Sequence, residues 1–598
     1  MKKLYSLLLI SFIIIGGLEA NALKNYSEFE TIKLKESIIL SEPIIYENGE
    51  FLSVYLEQAT SSILEVDSPV LPVVTKIFNL PFGSKINRIN VDFSNEKQIK
   101  LSKLITPYCL PNEISLDTIN KDEYMEVNSV YSSQKLYPYD GYKISTAMGL
   151  KNDEHVLYLI IQCYPNRYSP ENNILVFNEK IDITVLYKKP KQSVIFPDIY
   201  DLVIIAPEEY KEAIQPLEYH KENHSIKTLL ITTEDIYSDY IGRDEPEKIK
   251  YFIKESVENF GANYILLIGS IYKLPIRNTS IKLWGRWQEN TITDLYYSDL
   301  LDNNGSFSSW DSNDNNIFGE TDKDQLDLYP DVHIGRLACD SIKEVEIVVD
   351  KIIHYEDGES AEDWFNDMIF IGGNTFQINP GNEGEELNEM ILDIMSDFNP
   401  SYIIWTSKGN FNRNTISDAI SEGAGFLDYS GHGFEHGMGT YTPNGIFFKT
   451  YLTPYIDDLM NEYELPIIFF DACLTSKLDF VLQDLLDYKQ YRIFDIFARL
   501  INYDTSLKLP CFAWCFIKHE GGGAIATIGA TRTAFGGVDS GAGKLSIEFF
   551  NNYKNSETVG QMMTKAQNDY IKDVPGDQFT VEEFILLGDP SLKIGGYP

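Results

Sequence analysis

Strand-length runs that are apolar at nearly every position constrain this chain more than any other feature. Asp201-Leu-Val-Ile-Ile-Ala206, Tyr264-Ile-Leu-Leu-Ile-Gly269, Asp367-Met-Ile-Phe-Ile-Gly-Gly373, Gly425-Phe-Leu-Asp-Tyr-Ser430 and Leu465-Pro-Ile-Ile-Phe-Phe470 leave almost no polar face for water. Such strands are covered on both sides, which is the condition of a parallel sheet. Helix-length stretches such as 208–223 and 247–258 separate them, so the pattern predicts strand–helix alternation with helices on both faces. The alternation restarts near Asp367 and continues through Tyr402-Ile-Ile-Trp405 and Gly523-Ala-Ile-Ala-Thr-Ile-Gly529. Two α/β subdomains are expected, 197–360 and 361–595.

The region before them reads differently. Across 23–192 the strands are short and alternating, as in Ile181-Asp-Ile-Thr-Val-Leu-Tyr187, prolines interrupt often, and no long amphipathic helix appears. An all-β domain, a sandwich, is predicted, closed by Lys188-Lys-Pro-Lys191, which reads as an exposed basic linker open to a protease or simply as a linker. Lys2-Lys3, the apolar run Leu4 to Ile15 and Ala20-Asn-Ala22 describe a secretory signal peptide over 1–22. No later stretch approaches 18 apolar residues, so no membrane span is expected in the mature chain. A secreted or periplasmic location follows.

At 598 residues several cores are required. A net charge of −39 excludes nucleic-acid binding through a basic face and favours cations or basic peptide segments as partners. The six cysteines do not form a disulfide framework, though Cys109 and Cys163 are a candidate pair.

Two of the apolar runs end in reactive side chains. Gly425–Ser430 leads through Gly431 into His432-Gly433, and Leu465–Phe470 leads through Asp471-Ala into Cys473. Open α/β sheets carry their chemistry at the carboxyl ends of adjacent strands. A His beside a thiol makes the sulfur a strong nucleophile, and the amides of Gly433 and Cys473 are candidates for an oxyanion hole. Singly, Cys473 also reads as a small buried apolar residue and His432 as a turn residue. The pair points to cysteine peptidase chemistry.

An acidic loop stands apart. Asp311, Asn313, Asn315 and Glu320 place oxygens at alternating positions, a pattern suited to Ca²⁺, without the register of an EF-hand; a solvated turn is the alternative reading. Nothing suggests an organic cofactor: Gly541-Ala-Gly-Lys544 lacks the phosphate-loop pattern. His432 and His436 lie four apart, but the flanking glycines argue against a helix presenting both to zinc.

Tyr429-Ser-Gly-His432-Gly433, Phe470-Asp-Ala-Cys473, Thr527-Ile-Gly-Ala530 and Leu587-Gly-Asp-Pro-Ser-Leu592, together with Tyr329-Pro-Asp-Val-His-Ile-Gly-Arg336, resemble the gingipain family of cysteine peptidases, peptidase family C25. The resemblance spans about 197–595. It implies a caspase-like α/β fold, Cys473 as nucleophile, His432 as general acid/base, a zymogen, and 23–192 as a propeptide that partners the enzyme until cleaved. It also implies a carboxylate at the start of the helix after the first strand of the second subdomain. Glu385 or Glu386 falls there and would favour a basic residue at P1, although acids at a helix N-terminus also simply complement its dipole. The chain departs from the family at Phe434, where a small hydroxylated residue is common and an aromatic would wall or narrow the cleft. It departs again at Asp428, where Asn is common, and after Gly372-Gly-Asn374-Thr375, where the expected His-contacting acid is missing. Four residues of strand separate Asp428 from His432, about 13 Å, too far for it to orient that ring. The expected function is a secreted endopeptidase that hydrolyses peptide bonds through a thioester. The rivals are a sorting peptidase or transpeptidase acting on exported proteins, and a non-catalytic binding protein on the same scaffold.

Overall fold

The computed structural model describes residues 28–108, 130–192, 196–283, 286–358, 363–376, 381–488, 494 and 503–597. The expected leader, Cys109 and part of the stretch between Lys477 and Lys508 lie outside them; within that stretch Leu482–Asp487 is helical.

Ten strands form one sheet. In chain order they are β1 (Leu202–Ala206), β2 (Thr228–Thr232), β3 (Tyr264–Ile268), β4 (His333–Leu337), β5 (Asp367–Gly372), β6 (Asn399–Trp405), β7 (Phe426–Ser430), β8 (Ile467–Asp471), β9 (Ala526–Ala530) and β10 (Phe584–Leu587), arranged β2-β1-β3-β4-β10-β9-β8-β7-β5-β6. The two wings expected as subdomains are therefore continuous. β1 to β4 are mutually parallel, as are β5 to β9. Between the wings lies β10, antiparallel to β9 and joined to β4 at Arg336 and Leu587. Every residue of β1, β7 and β8 is buried, as their unbroken apolar runs require when helices cover both faces.

The β-rich region holds two four-stranded antiparallel sheets. One is centred on the strand Ile174–Pro190, the other on Glu154–Cys163. Ile181, Ile183 and Val185 from the first share a core with Leu157, Leu159 and Ile161 from the second. Lys188 to Pro190 differ from the sequence expectation. They are not linker but the end of the long central strand, paired with Phe29–Thr31. Alternation carries the strand to Pro190, which is buried, whereas Lys191 is exposed.

The hairpin Tyr142–Lys151/Glu154–Cys163 docks this region onto the amino-terminal edge of the first wing. Leu150 N–H donates to Pro330 O (2.9 Å), Met148 N–H donates to Asp327 (2.9 Å), and Asp153 meets His333, the first residue of β4, at 2.9 Å. Gln561 donates to the other Asp153 oxygen at 2.8 Å.

A buried ionic cluster ties the end of the chain to this same edge. Helix α1 (Lys211–Asn223) follows β1 and helix α2 (Ile342–Asp357) follows β4. Lys221 of α1 lies 2.8 Å from both Glu356 of α2 and Asp589, the acid of the Leu587–Leu592 motif, and all three are fully buried. A cation removed from such a cluster leaves two anions uncompensated in low dielectric. Lys221→Met is expected to cost about 3–5 kcal/mol, read as a lowered urea midpoint. The double variant with Asp589→Asn should recover part of the loss.

Candidate active site

β7 and β8 are neighbours in register, Ser430 beside Asp471, so their carboxyl ends open into adjoining turns. The turn after β7 carries His432 and Gly433, and the turn after β8 carries Cys473. Position 433 admits no side chain. A Cβ there would lie 2.2 Å from the Cys473 carbonyl oxygen and 3.0 Å from its nitrogen. The two turns are thus packed backbone to backbone.

His432 begins a three-stranded antiparallel sheet with 437–441 and 448–452. Its ring is buried, edged by Tyr441 and Phe448, each 5.7 Å away between centroids. Nε2 lies 2.6 Å from the Thr375 carbonyl oxygen. A carbonyl only accepts, so Nε2 carries a hydrogen. Thr375 is itself fixed: the preceding residue, Asn374, bridges Tyr441 through two backbone hydrogen bonds, and Thr375 N–H donates to Glu383 (3.2 Å). Beneath the loop the Tyr429 hydroxyl sits 2.7 Å from the carbonyl oxygens of His432 and Gly439.

The Cys473 sulfur is fully buried and bracketed by the backbone of Ala534, whose N–H points at it from 3.2 Å. Such a bond becomes charge-assisted when the sulfur is a thiolate. Leu474, the next residue, has φ +57, a left-handed conformation uncommon for a branched side chain. That turn is held by Leu474 N–H to Arg532 O and Ser476 N–H to Ala530 O, both 2.9 Å. Gly529 makes room for it, since a Cβ there would meet Thr475 Oγ1 at 2.4 Å. Arg532 is clamped by both oxygens of Asp479, at 2.9 and 2.8 Å.

Two buried carboxyls lie on the strands behind these turns. Asp428 accepts from Asn388 (2.6 Å) and Ser546 (3.2 Å), and Asp471 accepts from Ser430 (2.6 Å). Burial pushes Asp428 up to about 7 against those hydrogen bonds, and the neighbouring Asp471 adds to the rise. Asp471 is likewise pushed up to about 7 by burial.

The other expected site residues are dispersed. Helix α3 (Glu383–Ile394) presents its first-turn acids differently from the sequence expectation. Glu385 is buried and accepts from Ser407 N–H (2.9 Å) and Thr406 Oγ1 (3.2 Å), while Glu386 faces solvent. Glu383, one turn position earlier, is the acid connected to His432 through Thr375. Phe434 is buried, its ring 4.9 Å from that of His436. His436 in turn stacks on Phe480.

In the acidic loop the oxygens face donors of the protein itself. Asp311 accepts from Asn315 and Asn316 N–H and from Arg243. Glu320 accepts from the amides of Asn313 and Asn315 and from Lys323. Asn313 and Asn315 turn their side-chain oxygens to backbone N–H groups. This donor set fits a self-closed loop better than a calcium cage, which needs six to eight oxygens free to converge.

A mostly parallel sheet thus brings a histidine turn and a cysteine turn together at its carboxyl edge. Residues 197–595 match the sequence model of peptidase family C25, and the chain belongs to that family. Gingipain R2 of Porphyromonas gingivalis is 24% identical over 413 residues, covering 66% of this chain and 46% of that protein. Gingipain R1 of the same organism is 23% identical over 413 residues, covering 66% of this chain and 34% of its own length. The chain spans less than half the length of these relatives. The crystal structure of the Arg-specific cysteine proteinase gingipain R aligns with a TM-score of 0.49 at 20% identity, over 66% of this chain and 78% of that one.

The Asp428 carboxyl has a checkable consequence. Its folded value near 7 stands above its ordinary 3.8, so folding takes up a proton and stability falls as pH rises between the two. Asp428→Asn keeps the Asn388 bond without the charge. It is expected to stabilise the protein at about pH 8 by up to about 4 kcal/mol and to change little at about pH 4, as read from melting temperatures at both.

Proposed function

We propose that this chain is an exported cysteine endopeptidase made as a zymogen, with Cys473 as nucleophile and His432 as general acid/base. The observation that carries it is the Gly433–Cys473 backbone contact with His432 oriented by the Thr375 carbonyl. Nδ1 takes the thiol proton and the thiolate attacks the scissile carbonyl. The oxyanion is held by the amides of Gly433 and Cys473. Protonated His432 keeps its Nε2–H bond to Thr375 and returns the Nδ1 proton to the leaving amine. Water then hydrolyses the thioester with the roles reversed. The β-rich region serves as propeptide, released by cleavage beyond the paired strand that ends at Pro190.

For specificity we propose a basic P1 residue met by an acid of the first turn of α3. Glu383 suits this role better than Glu385, whose Oε1 is engaged by Thr406 and Ser407, or Glu386, which faces solvent. For the acidic loop, calcium is proposed only as a structural ion that displaces Arg243 from Asp311 and Lys323 from Glu320.

Fluorogenic peptides differing only at P1 test the reading on protein freed of the β-rich region by limited proteolysis. Cys473→Ala is expected to lower kcat by about 10⁴-fold or more while the melting temperature holds. Cleavage that survives Cys473→Ala would sink the assignment. Faster cleavage after Arg and Lys that Glu383→Gln removes selectively supports the S1 assignment, and a non-basic preference discards it. Aminolysis products with an added amine would move the reaction to transpeptidation. A melting temperature raised by millimolar calcium and insensitive to it in Asp311→Asn supports the ion; identical melting with calcium and with chelator removes it.

A further inference from the structure

A second cluster of metal-ligating side chains lies far from Cys473, and the peptidase reading makes no use of it. His220 in the last turn of α1 and His224, which caps that helix, are four residues apart and share one face. Asp357, the last residue of α2, faces both. Its Oδ1 is 3.6 Å from His220 Nδ1 and 3.6 Å from His224 Nε2, and all three atoms lie within 4.8 Å of one another. Ligand atoms about 2.0–2.1 Å from a tetrahedral zinc ion stand about 3.4 Å apart, so this spacing accommodates the ion with little movement.

The opposite ring nitrogens fix which atoms carry the lone pairs. His220 Nε2 sits 3.0 Å from Glu356 Oε2, and His224 Nδ1 sits 3.1 Å from the His220 carbonyl oxygen. The acceptors are a carboxylate held ionised by Lys221 and a carbonyl, so each of these nitrogens is the protonated one. The other two ring nitrogens and the Asp357 oxygen lie within 4.8 Å of one another. A buried carboxylate behind a ligand histidine is also the usual outer-shell device that orients the ring and raises its basicity.

We propose that His220, His224 and Asp357 bind a zinc ion, with Glu356 orienting His220. Two imidazoles and one carboxylate suit zinc rather than calcium or magnesium, which take oxygen ligands. Asp357 is half-exposed, so water completes the coordination. The site sits at the edge opposite the cysteine. β10 runs antiparallel to β9 and brings Leu587 beside Thr527, and the chain then reaches Asp589, the partner of Lys221 next to His220. Tyr597 stacks on the His224 ring at 3.9 Å between centroids, and its N–H bonds to Glu356 O at 2.8 Å. The ion therefore staples α1, α2 and the carboxyl-terminal segment together, a role independent of the proposed peptidase chemistry.

Untagged full-length Cys473→Ala protein, which keeps the active-site thiol from competing, is stripped with a chelator and titrated with zinc by calorimetry. One zinc ion per chain and a raised melting temperature are expected, and cobalt should give the intense visible bands of a low-coordinate site. His224→Gln and Asp357→Asn, both at partly exposed positions, should weaken binding at least tenfold, and Asp357→Asn should leave the metal-free melting temperature unchanged. Absence of saturable binding, or equal affinity in both variants, overturns the proposal.

Discussion

Gly433 has no side chain, and the backbone of Cys473 occupies the space where one would be. The rest of the site is built around that contact. Strands β7 and β8 must run in register so that Ser430 and Asp471 end together, and both strands must be buried to hold that register. The turn after Cys473 needs the same closeness on its other side, where Gly529 leaves room for Thr475. A side chain at position 433 would separate two strands whose faces are already filled by helices, and close-packed interiors have no slack to absorb such a shift.

Much of this was legible in the amino-acid order. A strand without a polar face implies coverage on both sides, and the runs ending at Ser430 and Asp471 carry that signature with a His and a Cys just beyond them. The Thr375 contact of His432 was not legible, because it is made by a main-chain carbonyl, and Thr375 looks like any other loop residue. The absence of an acid after Gly373 was visible; that a main-chain carbonyl meets the His432 ring was not. Glu383 carried a partial signal as the first acid of Glu383-Gly-Glu-Glu386, but helical phase alone cannot say which of these acids turns toward the loop and which toward Ser407. The basic run at Lys188 misled for a related reason. Composition suggested a linker, while cross-strand pairing with Phe29–Thr31 extends the sheet through Pro190. The single sheet was hidden as well, since β10 comes last in the chain and inserts between wings laid down long before it.

Polar groups gather at both edges of the sheet. At the carboxyl edge lie the turns, the ring and the sulfur. At the other edge lie the Lys221–Glu356–Asp589 cluster, the histidines of α1 and the docked hairpin with Asp153 on His333. Buried charge near the centre of a sheet tolerates little rearrangement, because a lost partner leaves an uncompensated ion. The Lys221–Asp589 pair anchors the segment just after β10, the strand that joins the two wings, to helix α1.

The Thr375 carbonyl gives His432 an orienting group that no side-chain substitution can delete and no proton can neutralise. An aspartate or glutamate in that role would be one codon change from loss and would titrate in acid. Here the imidazole's attitude is set by the main chain of the loop at 374–375, which Tyr441 and Glu383 hold. Insertions and deletions in that loop, rather than point substitutions, are the sequence changes to which this part of the machinery is vulnerable.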